Sequence, residues 1–146
     1  MLKELVQVER IQVLDSVSDW KMAIRISSQP LLDDGVIDET YVDTMIGAVN
    51  EYGPYIVLAD EFALPHASNQ PNVKEVAIST LVLKEPVDME GKPVRIVMTL
   101  ATVDNQSHLK ALSSLVEIIS DDENLQQIKD GSVEEIYKIL KEGGGK

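Results

Sequence analysis

The 146-residue chain carries 25 acidic against 13 basic residues, a net charge of −12 at pH 7, and no cysteine. That length is one domain's worth and can close a core without staples, while the missing thiols exclude cysteine nucleophiles, thiolate metal sites and a disulfide framework. The acidity opposes phosphate backbones and anionic lipid, no apolar run reaches the ~18 residues of a membrane span, and MLKELVQVER is too charged for a signal peptide, so the expectation is a cytoplasmic protein with no nucleic-acid partner and no direct membrane insertion.

Polar and apolar residues alternate from Arg10 to Leu14, which predicts a short first strand. Ser18 or Asp19 can cap a helix through Trp20, Ala23, Ile24 and Ser27, expected to end before Pro30. Asp38 opens a second helix with Val42, Met45, Ile46 and Val49 on one face, stopped by Gly53-Pro54. Tyr55 to Leu58 reads as a short strand leading to a corner at Pro65-His66.

Glu75 to Leu83 and Val94 to Thr102 are β-rich, and Glu90-Gly91-Lys92-Pro93 between them carries turn chemistry. The second run is almost wholly apolar, as a central strand covered on both faces should be. Beyond Asp104 the period becomes helical, with Leu109, Leu112, Leu115, Val116 and Ile119 forming one stripe. Two short helices close the chain, the last opened by the capping-box sequence Ser132-Val-Glu-Glu135. The expected fold is a single-domain α/β sandwich over residues 1–142, a mixed sheet of about four or five strands with helices on both faces. Residues 143–146, Gly-Gly-Gly-Lys, are expected as a flexible tail.

Only two histidines are present, His66 and His108. The proline before His66 has a locked φ, so that imidazole sits at a fixed corner where it can serve as general base, metal ligand or covalent nucleophile. His108 follows the exit of the apolar strand, and strand exits are where α/β sheets usually bind ligands. Backbone N–H groups near Asn105 to Ser107 would add a partial positive pole for an anion. The plainer readings stand beside these: Asp104 as a helix N-cap, Asp60 and Glu61 as solvated loop charges. A metal site from His66, His108, Asp104 and Glu61 has few ligands and no recognised spacing.

Gly53-Pro54-Tyr55-Ile56-Val57, then Ala63-Leu64-Pro65-His66, then Val73, expected to open a strand, then Val103-Asp104 with His108-Leu109 in order resemble the enzyme IIA components of bacterial sugar phosphotransferase systems (PTS). Within the mannitol/fructose class the closer resemblance is to the ascorbate-type branch. It covers about residues 5 to 140. The resemblance implies a phosphocarrier: His66 takes a phosphoryl group from the histidine-containing phosphocarrier protein and passes it to a cysteine of a IIB component. The membrane IIC permease follows indirectly, and His108 helps hold the phosphoryl oxygens. It implies no cofactor and no metal, because the incoming group is already an activated phosphoramidate, and no contact with the sugar, which would be ascorbate-like, a pentitol or a hexitol. Alternative readings are a IIA-like regulatory domain, or a degenerate binding module without chemistry.

Several positions depart from the family pattern. Ser68 stands for an arginine, Asn69 for a proline and Asn72 for a glycine, and Asn50 is nearest to an arginine of mannitol-type cousins. Asp60-Glu61 replaces Pro-Gly in the loop before the motif, so the site is expected to carry extra negative charge, with Lys110 as a candidate for compensation. Phe62 to Pro65 is a candidate apolar docking patch for protein partners, with burial of Phe62 and Leu64 in the core as the competing reading.

Overall fold

A computed structural model describes residues 2–67, 73–104, 106 and 109–142. After a short helix α1 (Leu2–Leu5) and a 3-10 turn at Val8–Arg10 come strand β1 (Ile11–Leu14) and helices α2 (Trp20–Asp33) and α3 (Glu39–Tyr52). Strands β2 (Val57–Ala59), β3 (Phe62–Ala63), β4 (Ala77–Met89) and β5 (Lys92–Ala101) follow, then α4 (Leu109–Ile119), α5 (Asp122–Asp130) and α6 (Val133–Glu142). The sheet order is β1-β4-β5-β3-β2. β1 and β3 run parallel to their inner neighbours, while β4 with β5 and β2 with β3 are antiparallel. The sheet is therefore mixed, and β5 is its middle strand, as its apolarity demands.

Alternation along β5 divides the core in two. Val97 and Ala101 face α2 and α3, whereas Ile96, Met98 and Leu100 face α4, α5 and α6. The β4–β5 hairpin closes through Glu90-Gly91, both at positive φ, which suits the twist of a two-residue connection.

Local chemistry fixes most helix ends. The Asp19 carboxylate accepts from the Met22 N–H and that of Asp38 from the Tyr41 N–H, so Asp19 is the cap of α2 and Asp38 that of α3. The capping box is reciprocal: Ser132 N–H donates to Glu135 Oε1 at 2.9 Å and Glu135 N–H to Ser132 Oγ at 3.2 Å.

Two expectations need correction. Helix α2 runs through Pro30 to Asp33 instead of ending before it. Proline removes the N–H that would bond the Ile26 carbonyl, and Gln12 on β1 supplies a substitute, its Nε2 donating to Ile26 O at 2.7 Å. The stripe on α4 is also rotated. Its buried face is Ala111, Leu115, Ile118 and Ile119, while Leu109 and Val116 are exposed.

Candidate functional site

His66 lies just beyond β3, where the chain leaves the sheet along the C-terminal end of β5. Leu64 N–H donates to Ile56 O at 2.9 Å and Leu100 N–H to Pro65 O at 2.9 Å, so the backbone entering the corner is tied to the residue before β2 on one side and to β5 on the other. The residue after it is held by side chains. Ala67 N–H donates to the Tyr41 hydroxyl oxygen at 3.2 Å, and Thr102 Oγ1 donates to Ala67 O at 2.8 Å.

The half-buried imidazole places Nδ1 2.7 Å from the carbonyl oxygen of Leu64. A carbonyl can only accept, so Nδ1 is the donor, and in the neutral form of the ring the lone pair falls on Nε2. Tyr55 stands edge-on to His66, ring centroids 6.3 Å apart, and Tyr52 continues the row at 6.4 Å from Tyr55. Both tyrosines are exposed, whereas Phe62, Ala63, Leu64 and Pro65 are buried. The docking-patch reading of those four residues is thus replaced by the core reading, because β3 is an interior strand between β2 and β5.

The expected burden of negative charge from Asp60-Glu61 is also overturned. The two residues form the β2–β3 turn, and Glu61 O accepts from the N–H groups of Arg95 and Ile96 in the middle of β5. Pro65 is bonded at Leu100, four to five residues further along the strand, which separates the two places by about 13–16 Å. The turn's charge is matched where it sits: Lys129 Nζ lies 2.8 Å from Glu61 Oε1 and 3.1 Å from Asp60 Oδ2. Burial alone would lower the lysine's pKa, but the two carboxylates outweigh it and hold the ammonium above its ordinary value. Glu61 adopts φ +58°, the conformation that suits glycine at the same place in the family pattern.

Asp104 Oδ1 accepts from Gln106 N–H at 2.8 Å, in the segment that leads to α4. Lys110 and Asn50 are exposed. His108, Ser68, Asn69, Asn72, Asn105, Ser107 and the tail at 143–146 lie outside the described residues, so the readings placed on them carry no geometry. Among the described residues no group of three His, Asp or Glu side chains is arranged to hold a metal ion, and no helix is long and apolar enough to cross a membrane.

Sequence reasoning missed Tyr41 and Thr102. A signal for Tyr41 existed: it lies four residues before Met45 on the core face of α3, and a tyrosine buried there needs a partner for its hydroxyl.

Together these features define an α/β domain that presents an imidazole, its Nδ1 bonded to a backbone carbonyl, at the C-terminal end of an interior strand. The family model for the phosphoenolpyruvate-dependent sugar phosphotransferase system, EIIA 2, matches residues 4–143, and the chain belongs to that family. It is 31% identical over 129 residues to an ascorbate-specific PTS EIIA component of Mycoplasma pneumoniae, covering 86% of this chain and 81% of the relative. It is 32% identical over 136 residues to the mannitol-specific cryptic phosphotransferase enzyme IIA component of Escherichia coli, covering 91% and 92%. The solution structure of an E. coli protein of that name superposes with a TM-score of 0.89 over 97% of this chain and 99% of that one, at 29% identity. The E. coli mannitol IIA, solved in complex with phosphorylated IIB, shares the fold at a TM-score of 0.79 and 21% identity, covering 92% and 96%.

Proposed function

We propose that His66 is the phosphoryl acceptor of a PTS IIA component, with Nε2 as its nucleophilic atom. The observation that carries this reading is the Nδ1–H bond to Leu64 O, which leaves the lone pair on Nε2. In the forward step Nε2 forms a new N–P bond as the donor's N–P bond breaks, and that electron pair returns to the donor's imidazole. No base is needed, because Nε2 carries no proton and Nδ1 keeps its own. In the second step a IIB thiolate forms an S–P bond and the pair from the breaking N–P bond returns to Nε2. Both steps are displacements at phosphorus, where positioning and charge stabilisation do most of the work.

The donor is the histidine-containing phosphocarrier protein, the acceptor a IIB cysteine, and the IIC permease is reached through IIB. His108 is proposed to hold the phosphoryl oxygens; the bond between Thr102, six residues before it, and Ala67, one residue after His66, supports bringing the two loops together. The relatives span ascorbate and mannitol systems at similar identity, which supports a sugar acid or sugar alcohol as the cargo. No metal or cofactor enters either step.

The test is transfer from the purified phosphorylated carrier. Wild-type protein should gain an acid-labile, alkali-stable phosphohistidine and His66→Ala should gain none. His108→Ala should still accept, more slowly by a factor on the order of 10²–10³. Labelling of His66→Ala would overturn the assignment, and an unlabelled wild type would favour a binding module without chemistry.

A further inference from the structure

We propose that Tyr41 is a positioning residue for His66, acting through the Ala67 peptide with Thr102 as its second support. The inference rests on the reading of His66 as nucleophile.

Tyr41 is 1% exposed and its hydroxyl is the side chain's only polar atom, so the bonds it makes are built into the fold. It has one proton and donates it to Leu100 O at 2.7 Å, while its oxygen accepts from Ala67 N–H at 3.2 Å. Ala67 is itself buried, and its carbonyl is taken by Thr102 Oγ1 at 2.8 Å. Both backbone polar groups of Ala67 would otherwise lie in the core without a strand to pair them, since β3 has ended at Ala63.

The same residue of β5 serves both sides of the histidine. Leu100 N–H holds Pro65 O before His66, and Leu100 O holds the Tyr41 hydroxyl that fixes Ala67 after it. Tyr41 is in turn seated by the cap of α3, its N–H donating to Asp38 Oδ1 at 3.0 Å. A phenylalanine would fill the same volume, so the hydroxyl adds only these bonds. Burial raises the phenol's pKa, which keeps the proton in place for Leu100. Without this tie, the corner can relax and Nδ1 can leave Leu64 O, which frees the ring to change tautomer and aim.

The experiment compares wild type, Tyr41→Phe, Thr102→Val and Ser28→Ala. Ser28 shares a buried hydroxyl contact with Thr99 at 3.0 Å and serves as the control for general loosening of the same core. Single-turnover acceptance from the phosphorylated carrier should fall about 10- to 100-fold in Tyr41→Phe at saturating carrier, with little change in KM. Ser28→Ala should keep the wild-type rate. Imidazole 15N spectra should show a single Nδ1–H tautomer of His66 in wild type and Ser28→Ala, and mixed tautomers in Tyr41→Phe. Wild-type rate and tautomer in Tyr41→Phe would overturn the proposal, as would equal slowing in Ser28→Ala. If Tyr41→Phe does not fold, Thr102→Val, expected to show the same mixed tautomers, decides by the same readouts. If no variant or wild type accepts phosphoryl, the function assigned to His66 fails, yet the spectra still test the positioning on their own.

Discussion

His66 Nδ1 and the Leu64 carbonyl oxygen meet at 2.7 Å across a single proline. The contact is local, and the locked φ of Pro65 leaves little chain freedom to lose in forming it. Leu64 uses its other backbone group differently, its N–H donating to Ile56 O at 2.9 Å. One residue thus anchors the corner to the neighbouring chain and sets the tautomer of the imidazole beyond it.

The Lys129 clamp predicts a separation of stability from chemistry. Replacing Lys129 by Met removes a cation whose side chain is 4% exposed and leaves Glu61, at 21%, without its partner. The loss should be about 1–3 kcal/mol, at the low end for a buried pair because Asp60 is 80% exposed. Urea unfolding should register it. Phosphoryl acceptance at His66 should stay within about twofold of wild type, since the clamp sits about 13–16 Å along β5 from the site. A collapse in acceptance at full folding would show that the β2–β3 turn governs the histidine.

Gly131 should resist a substitution that usually helps. At negative φ, Gly→Ala commonly stabilises by about 0.4–1 kcal/mol through the unfolded chain. Gly131 has φ −82°, but a Cβ there would come 2.7 Å from Gln127 O and 3.3 Å from Glu135 Cβ. The carbonyl belongs to α5 and cannot swing aside, so Gly131→Ala should destabilise by about 1–3 kcal/mol. Thermal unfolding decides the sign, and a gain would mean that the α5–α6 junction can open at little cost.

These cases mark where the sequence was legible. The caps Asp19, Asp38 and Ser132 with Glu135 act on backbone within three residues, and each could be read from its own neighbourhood. The centrality of β5 was written in its apolarity. Pro30 misled because Gln12, which satisfies Ile26 O, comes from another element. The α4 stripe misled because Leu109 and Val116 extend the apolar arc past the face that packs, so periodicity could not choose the rotation. Strand β3 spans two residues, too few to show a period. His66 was visible as a proline-fixed imidazole, whereas Tyr41 and Thr102 reach Ala67 from 26 and 35 positions away, distances only the fold closes.

The capping box makes the acid limb of stability partly dependent on Glu135. The Ser132 N–H and hydroxyl hold its carboxyl below the ordinary value of 4.5. A depressed native pKa means that the unfolded chain takes up the proton first. The contribution is therefore complete above the unfolded value and is lost as the pH falls through the native one. Glu135→Gln should flatten the dependence of the urea midpoint between about pH 5 and pH 3 and leave its neutral-pH slope unchanged. An unaltered acid limb would show that other carboxylates set it alone.

The tyrosine row beside His66 should act on partner encounter and leave the chemical step alone. Tyr55 is 46% exposed and Tyr52 70%, and they stack edge-on toward the imidazole while the residues before it are buried. Amphipathic rings next to a reacting atom are what a transient protein partner can cover, and such anchors weigh heavily in small interfaces. Tyr55→Ala should raise the KM for the phosphorylated carrier by about 5- to 50-fold, with the rate at saturation within about threefold of wild type. Tyr55→Phe keeps the ring and should retain most of the affinity. The alternative role is steering of the imidazole, which would lower the saturating rate at unchanged KM, a pattern that would remove Tyr55 from the docking surface and place it with Tyr41 among the residues that aim His66.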